Sequence, residues 1–143
     1  MQLTRHTDYS LRVLIFLSIQ QDATLVTINE MVKHFNVSKN HLTKVVHNLA
    51  SKGYVKTVQG KNGGMCLAIP LDSINLGTII KKTEHNIEVI NCHKPICPLE
   101  QNCKLKGVLN EAQEAFFNAL SNYTLADITH NKNQIKALLN WEN

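Results

Sequence analysis

Acidic side chains are missing from the middle of this chain. Between Met31 and Leu71 there is no Asp or Glu, while Lys33, Lys39, Lys44, Lys52, Lys56 and Lys61 stand in the same window. The formal net charge of all 143 residues is only +4, so the excess is concentrated there and the flanks are close to neutral or slightly acidic. Such a patch suits a polyanion, and a solvated surface is its bland alternative. Proline and glycine are also sparse, 3 and 6 residues, and 43% of the chain is hydrophobic, which excludes a disordered, low-complexity chain. Long apolar runs are lacking too. The segment from Leu11 to Ile19 is interrupted by Arg12 and falls well short of the roughly 20 residues a membrane helix needs, and no small-residue cleavage site follows it. A cytoplasmic protein without a membrane partner is the expectation. No glycine-rich nucleotide loop of a recognised type is present, and the scattered histidines form no credible Ser-His-Asp constellation, so no enzyme is expected.

What the chain does have is a cluster of thiols. Three of its 4 cysteines lie in the stretch CHKPICPLEQNC, at Cys92, Cys97 and Cys103, with Pro95 and Pro98 between them. Proline fixes φ and removes a backbone donor, so the stretch reads as a shaped loop that aims its thiols at one point. A disulfide with one spare thiol is disfavoured in a reducing compartment. A zinc site would ordinarily show a C-x2-C knuckle and a fourth ligand at matching spacing; the knuckle is absent, although His93 or His85 could supply a nitrogen. An iron-sulfur cluster suits three thiolates completed by another residue. The remaining thiol, Cys66, reads as a buried strand cysteine.

The order of elements gives the cluster a setting. A first helix is expected from about Leu3 to Ile19, with Asp8 and Arg12 paired four residues apart on its exposed side. Thr27 and Glu30 form a capping box for a short helix to Phe35. Asn36-Val37 is a tight turn with Asn36 left-handed, and Ser38 caps a second helix that turns Leu42, Val45, Val46 and Leu49 inward. Ser38, Lys39, Asn40, His41 and Lys44 are left at its start and on its outer face. This is a helix-turn-helix over residues 28–51, whose second helix reads DNA, and its alternative is a generic helical hairpin.

After Gly53 the period changes. YVKTV and MCLAI flank QGKNGG, so residues 54–70 form a hairpin wing offering Lys61 and Asn62 to the DNA backbone or minor groove. A helix from Ser73 to Glu84 follows. A long one-faced helix from Lys104 to Tyr123 then carries Leu105, Val108, Leu109, Ala112, Ala115, Phe116, Ala119 and Leu120, and is read as a dimer seam. A capping box at Thr124 and Asp127 and a last helix from Gln134 to Trp141 end the chain.

The fold class expected is mainly α with a small β wing: a winged helix-turn-helix domain over residues 1–84, then a cluster-binding loop and dimerisation helices over 85–143. At this point LTRHTDYSLRVL, QGKNGG, NYTLAD and the three-cysteine loop resemble the nitric-oxide-sensing repressors within the superfamily of iron-sulfur winged-helix regulators. The resemblance implies a homodimeric repressor of a double-stranded DNA operator. Each subunit would bind one cluster, 4Fe-4S or 2Fe-2S, through Cys92, Cys97 and Cys103. It also implies a fourth ligand at Asp8, donated by the partner subunit, with loss or nitrosylation of the cluster releasing DNA. Another branch of the superfamily has a histidine three residues after the third cysteine; that position is Lys106. Beside this stand two readings of other classes, a zinc-stabilised adaptor that binds no DNA and a cysteine oxidoreductase, the latter without a C-x-x-C pair.

Overall fold

The computed structural model describes residues 2–21 and 24–140. Helix α1, Arg5–Ser18, starts where Thr4 is extended and its hydroxyl accepts from the Thr7 amide at 3.3 Å. The Thr4 amide in turn donates to the Glu84 carboxylate at 2.8 Å, which ties the start of α1 to the end of a helix 80 residues later. Val13, Leu14, Phe16 and Leu17 are buried along its inner face, the continuous stripe a core-facing helix needs. The hydroxyls buried with them are satisfied locally: Ser10 donates to the His6 carbonyl at 2.7 Å and Ser18 to that of Ile15 at 2.6 Å.

Helix α2, Ile28–Phe35, opens with the expected reciprocal cap, the Thr27 amide donating to Glu30 at 2.6 Å and the Glu30 amide to the Thr27 hydroxyl at 3.3 Å. It closes at Asn36, whose φ of 50° and ψ of 47° are left-handed, as the turn requires. Helix α3, Lys39–Ser51, then crosses α1 and α2 with Leu42, Val45, Val46 and Leu49 buried. Ser38 precedes it but makes no side-chain capping bond, contrary to the sequence expectation. The hydroxyl stays exposed at the helix entrance, available to a partner outside the chain.

Gly53, at φ 78°, reverses the chain after α3 and starts the hairpin. Strands β1, Val55–Val58, and β2, Gly64–Leu67, are antiparallel with Val55 opposite Leu67 and Lys56 opposite Cys66. The Gly63 amide donates to the Gly60 carbonyl at 3.0 Å, so Lys61 and Asn62 are the two residues at the tip. The positive φ falls on Gly60, at 111°, rather than on the Asn62-Gly63 step. A side chain at Gly63 would collide with the Val58 carbonyl, because its Cβ would stand only 2.3 Å from that oxygen. On its other edge β2 bridges to the segment before α2: Val26 and Met65 exchange amide bonds of 2.9 and 2.8 Å.

A short 3-10 turn, Leu71–Ser73, occupies the place where the sequence suggested a helix beginning. Helix α4 runs instead over Leu76–Thr83, because the Asn75 side chain accepts from the Thr78 amide at 3.0 Å and so sets the first turn. The chain then crosses the cysteine loop, with a 3-10 turn at Glu100–Asn102, into α5, Lys104–Ser121. Helices α6, Leu125–Ile128, and α7, Lys132–Leu138, complete the described fold. The last helix, expected from Gln134 to Trp141, starts earlier and ends at Leu138, capped at Leu139 and followed by a left-handed Asn140; Trp141 itself lies outside the described residues. Phe117 of α5 and Leu125 of α6 join the same core as α1, α3 and α4.

The second capping box is present as expected: the Thr124 amide donates to Asp127 at 2.7 Å and the Asp127 amide donates back to the Thr124 hydroxyl at 3.4 Å. Backbone and hydroxyl hydrogen bonds from Thr124 hold the Asp127 carboxyl below its ordinary pKa, so the folded state binds this proton less readily than the unfolded chain. Its contribution is therefore present above the ordinary Asp value near 4 and lost as pH falls through the depressed one. Asp127→Asn is expected to flatten the acid limb of a Tm-against-pH curve and leave the neutral limb parallel to the wild type. An unchanged acid limb would mean that the box contributes nothing through charge.

Candidate nucleic-acid interface and metal centre

The helix-turn-helix and wing place every sequence-expected DNA residue on the surface. Ser38, Lys39, Asn40, His41 and Lys44 are exposed at the start and along the outer face of α3, and Lys61 and Asn62 are exposed at the hairpin tip. The burial of Leu42, Val45, Val46 and Leu49 causes this, since it leaves the other face of a 3.6-residue helix no orientation except outward. With no acidic side chain between Met31 and Leu71, nothing in that segment neutralises the lysines. The Tyr9 ring lies 6.2 Å from that of His41, and Arg12 stands over Tyr9 at 5.9 Å, which links the exposed side of α1 to the entrance of α3. Sequence reasoning did not single out Tyr9.

The cysteine loop is built on local backbone bonds. The Asn91 side chain accepts from the amides of His93 at 2.9 Å and Lys94 at 3.2 Å, the Lys94–Pro95 peptide is cis, and the Cys97 amide donates to the Cys92 carbonyl at 2.9 Å. The Glu100 amide then donates to the Cys97 carbonyl at 3.1 Å, and Cys103 stands as the residue before α5. All three thiols are free; Cys92 is buried, Cys97 and Cys103 half-buried. The expectation that they converge on one point is not met. Among the described residues no three His, Cys, Asp or Glu side chains are grouped as metal ligands. Each cysteine is held instead by its own stretch of backbone. In kind the donor set fits an iron-sulfur cluster, which takes soft thiolates that are free, near one another in sequence and sheltered from bulk water.

Of the other ligand candidates, Asp8 accepts from Arg12 at 2.9 Å with both side chains more than two-fifths exposed, the surface pair the sequence suggested. His93 Nδ1 lies 3.1 Å from a carboxylate oxygen of Glu100, and Lys106 donates to the same oxygen at 3.0 Å. The bond from Glu100 holds the Lys106 ammonium above its ordinary pKa, aided by the charges of Glu100, Cys92 and Glu88. His85 packs near the His6 ring at 5.8 Å. Cys66 stands apart on β2, half-buried rather than buried as expected, lining a cleft with Leu17 and Ser18 of α1 and Lys132 of α7.

Helix α5 has two faces. Phe117 is buried, and Phe116 and Leu120 are partly buried against the core. Leu105, Val108, Ala112, Ala115 and Ala119 are exposed, and their steps of three, four, three and four residues follow a heptad seam. No helix among the described residues is long and apolar enough to cross a membrane.

Comparison with known proteins gives this arrangement a place. The chain is 43% identical over 142 residues to the HTH-type transcriptional regulator NsrR of Halalkalibacterium halodurans, covering 97% of each chain. It is 42% identical to the NsrR of Bacillus subtilis over the same length, again covering 97% of each. The structure of CymR, the global cysteine regulator of B. subtilis, superposes with a TM-score of 0.72 over 91% of this chain and 97% of that one, at 22% identity, and so shares its fold. Residues 3–131 match the Rrf2 family, described as iron-dependent transcriptional regulators. A mostly helical fold with one two-stranded wing and full-length likeness to two such regulators leads to one conclusion: the chain belongs to the Rrf2 family of transcriptional regulators.

Proposed function

We propose that this regulator is a homodimeric repressor that binds an operator in double-stranded DNA and senses nitric oxide through one iron-sulfur cluster per subunit. The observation that carries the reading is the loop of three free cysteines immediately before α5, in a chain so similar to regulators named NsrR. Cys92, Cys97 and Cys103 would hold the cluster, with Asp8 of the partner subunit as the fourth ligand. The iron supplies the chemistry that responds to nitric oxide. The exposed heptad stripe of α5 supports the dimer, since an apolar a/d seam left in water is what a second copy would cover. Residues 1–84 would serve as the DNA-binding part, and 85–143 as the loop and dimer part.

The chain's own residues would do the rest. Asp8 lies in α1 beside Tyr9, and Tyr9 stands by His41 at the entrance to α3, so a change at Asp8 is felt where DNA is read. In a dimer the two copies of α3 would have to stand about 34 Å apart to enter successive major grooves. Loosening the cysteine loop at the start of α5 would alter that separation, and DNA would be released.

The test starts with anaerobic purification, iron and sulfide analysis and a visible spectrum. DNA fragments selected from a random pool by the iron-loaded protein are then titrated before and after addition of nitric oxide. Brown protein whose affinity falls with nitric oxide supports the reading, and a colourless zinc protein overturns it. Asp8→Ala is expected to leave the melting of iron-free protein nearly unchanged, since a surface pair of this kind contributes only about 0.2–0.5 kcal/mol. It should alter the loaded protein's spectrum or its rate with nitric oxide. Wild-type behaviour in both would remove Asp8 from the ligand set.

DNA binding should be electrostatic in bulk. If a dimer neutralises roughly six phosphates, log K falls with log salt at a slope of about −5. Lys61→Ala should weaken all sequences alike and lower that slope, whereas changes at Asn40 or Lys44 should also shift sequence preference. A Lys61→Ala protein with the wild-type slope and affinity would take the wing out of the interface.

A further inference from the structure

Glu100 reaches both ends of the cysteine loop with one carboxylate. Its Oε1 accepts a hydrogen bond from Lys106 Nζ at 3.0 Å, and His93 Nδ1 stands 3.1 Å from the same oxygen, an ion pair when the ring is protonated. His93 follows the first cysteine of the loop and Lys106 lies in the first turn of α5, three residues after the last, so one carboxylate spans the whole segment. Glu100 is the least exposed of the three, at 24%, against 33% for Lys106 and 64% for His93. Its own amide is bonded to the Cys97 carbonyl, so the side chain is presented from a fixed turn rather than a loose one. The bonds within the loop itself are short-range and exposed, and such segments open with little free energy. The bond from Lys106 is charge-assisted, about twice as strong as a neutral hydrogen bond.

We propose that Glu100 is a positioning residue of the cysteine loop, holding His93 and Lys106 to one carboxylate so that the segment carrying Cys92, Cys97 and Cys103 stays docked on the start of α5 before iron arrives. The proposal rests on the reading of the loop as a cluster site, but the clamp itself acts in the iron-free chain. It gives Lys106 a role where another branch of regulators has a histidine: the ammonium holds the loop to α5 by a salt bridge.

The test uses the full chain, iron-free and reduced, with iodoacetamide as the probe. Glu100→Gln is expected to raise the alkylation rate of the loop cysteines roughly threefold, the scale of losing a partly exposed ion pair, while Cys66 and the Tm stay as in the wild type. The exchanged pair Glu100→Lys with Lys106→Glu rebuilds the bond to α5 but not the contact with His93, so it should recover part of the slow rate, which a general loss of structure would not allow. Lys106→Gln provides a second variant with the same expected direction should Glu100→Gln not fold. Reconstitution with ferrous iron and sulfide should be slower in Glu100→Gln and reach the wild-type spectrum, since a positioning residue does not touch iron. Unchanged alkylation rates in the single variants, or no recovery in the exchanged pair, would overturn the clamp. A changed final spectrum would also overturn it, by making Glu100 or His93 a ligand. If wild-type protein takes up no cluster, the cluster reading fails, while the alkylation rates still decide the clamp.

Discussion

Replacing Cys92, Cys97 or Cys103 by alanine, one at a time, is expected to remove the visible absorbance of anaerobically purified protein, while Cys66→Ala keeps all of it. The difference comes from where the thiols sit. The three loop cysteines share one segment of a dozen residues closed by the Cys97 to Cys92 backbone bond of 2.9 Å, whereas Cys66 lies across a hairpin from Lys56. In the proposed cluster site, losing one of three thiolates would leave an iron with water or nothing in its place. Even groups that merely orient a metal ligand change affinity by about 10–100-fold when removed, so a direct ligand should cost at least the upper part of that range. Bleaching by Cys66→Ala, with colour kept in any one of the loop variants, would show that the wrong thiols were assigned.

The second large effect is expected far from any cysteine. Gly77→Ala should lower the Tm by up to roughly 8 °C, although alanine is intrinsically the better helix former by about 1 kcal/mol. A Cβ at Gly77 would stand 2.3 Å from the Ser121 hydroxyl, 3.0 Å from the Ser121 amide and 3.1 Å from the Phe117 carbonyl. Two of those atoms are backbone and cannot move aside, so α4 must be pushed off α5, an overpacking that typically costs about 1–3 kcal/mol. Ser121→Gly in the same chain removes only the nearest atom and should restore part of the loss. On the proposed division into a DNA-binding part and a loop-and-dimer part, the α4–α5 contact joins the two, so the operator response should weaken along with stability. A Gly77→Ala protein as stable as the wild type would mean that the two helices do not meet this closely.

These cases also show what a one-dimensional reading reaches. Both capping boxes, the left-handed Asn36 and the inward face of α3 were legible because each is written in residues at most a few positions apart. The face of α5 was legible only in part. The apolar set from Leu105 to Leu120 read as one stripe, but the residue that enters the core is Phe117, outside that set, and the heptad positions are exposed. Periodicity shows that a helix has an apolar side; it does not say which of two neighbouring sides its own chain covers. The loop divides in the same way. The cysteines were evident from spacing, whereas the bond from Glu100 to Lys106 depends on how the chain turns between them. Ser38 failed as a cap for a similar reason: its residue type is right, but no bond from its side chain to the α3 backbone forms.

The bridge between Val26 and Met65 bears on how such a protein could let go of DNA. It fastens the wing to the segment that leads into α2, while the Tyr54 amide donates to the Leu49 carbonyl at the other end of the hairpin. Wing and helix-turn-helix are therefore one lever with no joint between them. If the wing touches DNA as proposed, these fastenings oppose its lifting while the helix stays in its groove, and detachment in one step is the expected outcome. Half-released states, with the wing lifted and α3 still seated, should be missing from single-molecule records of dissociation.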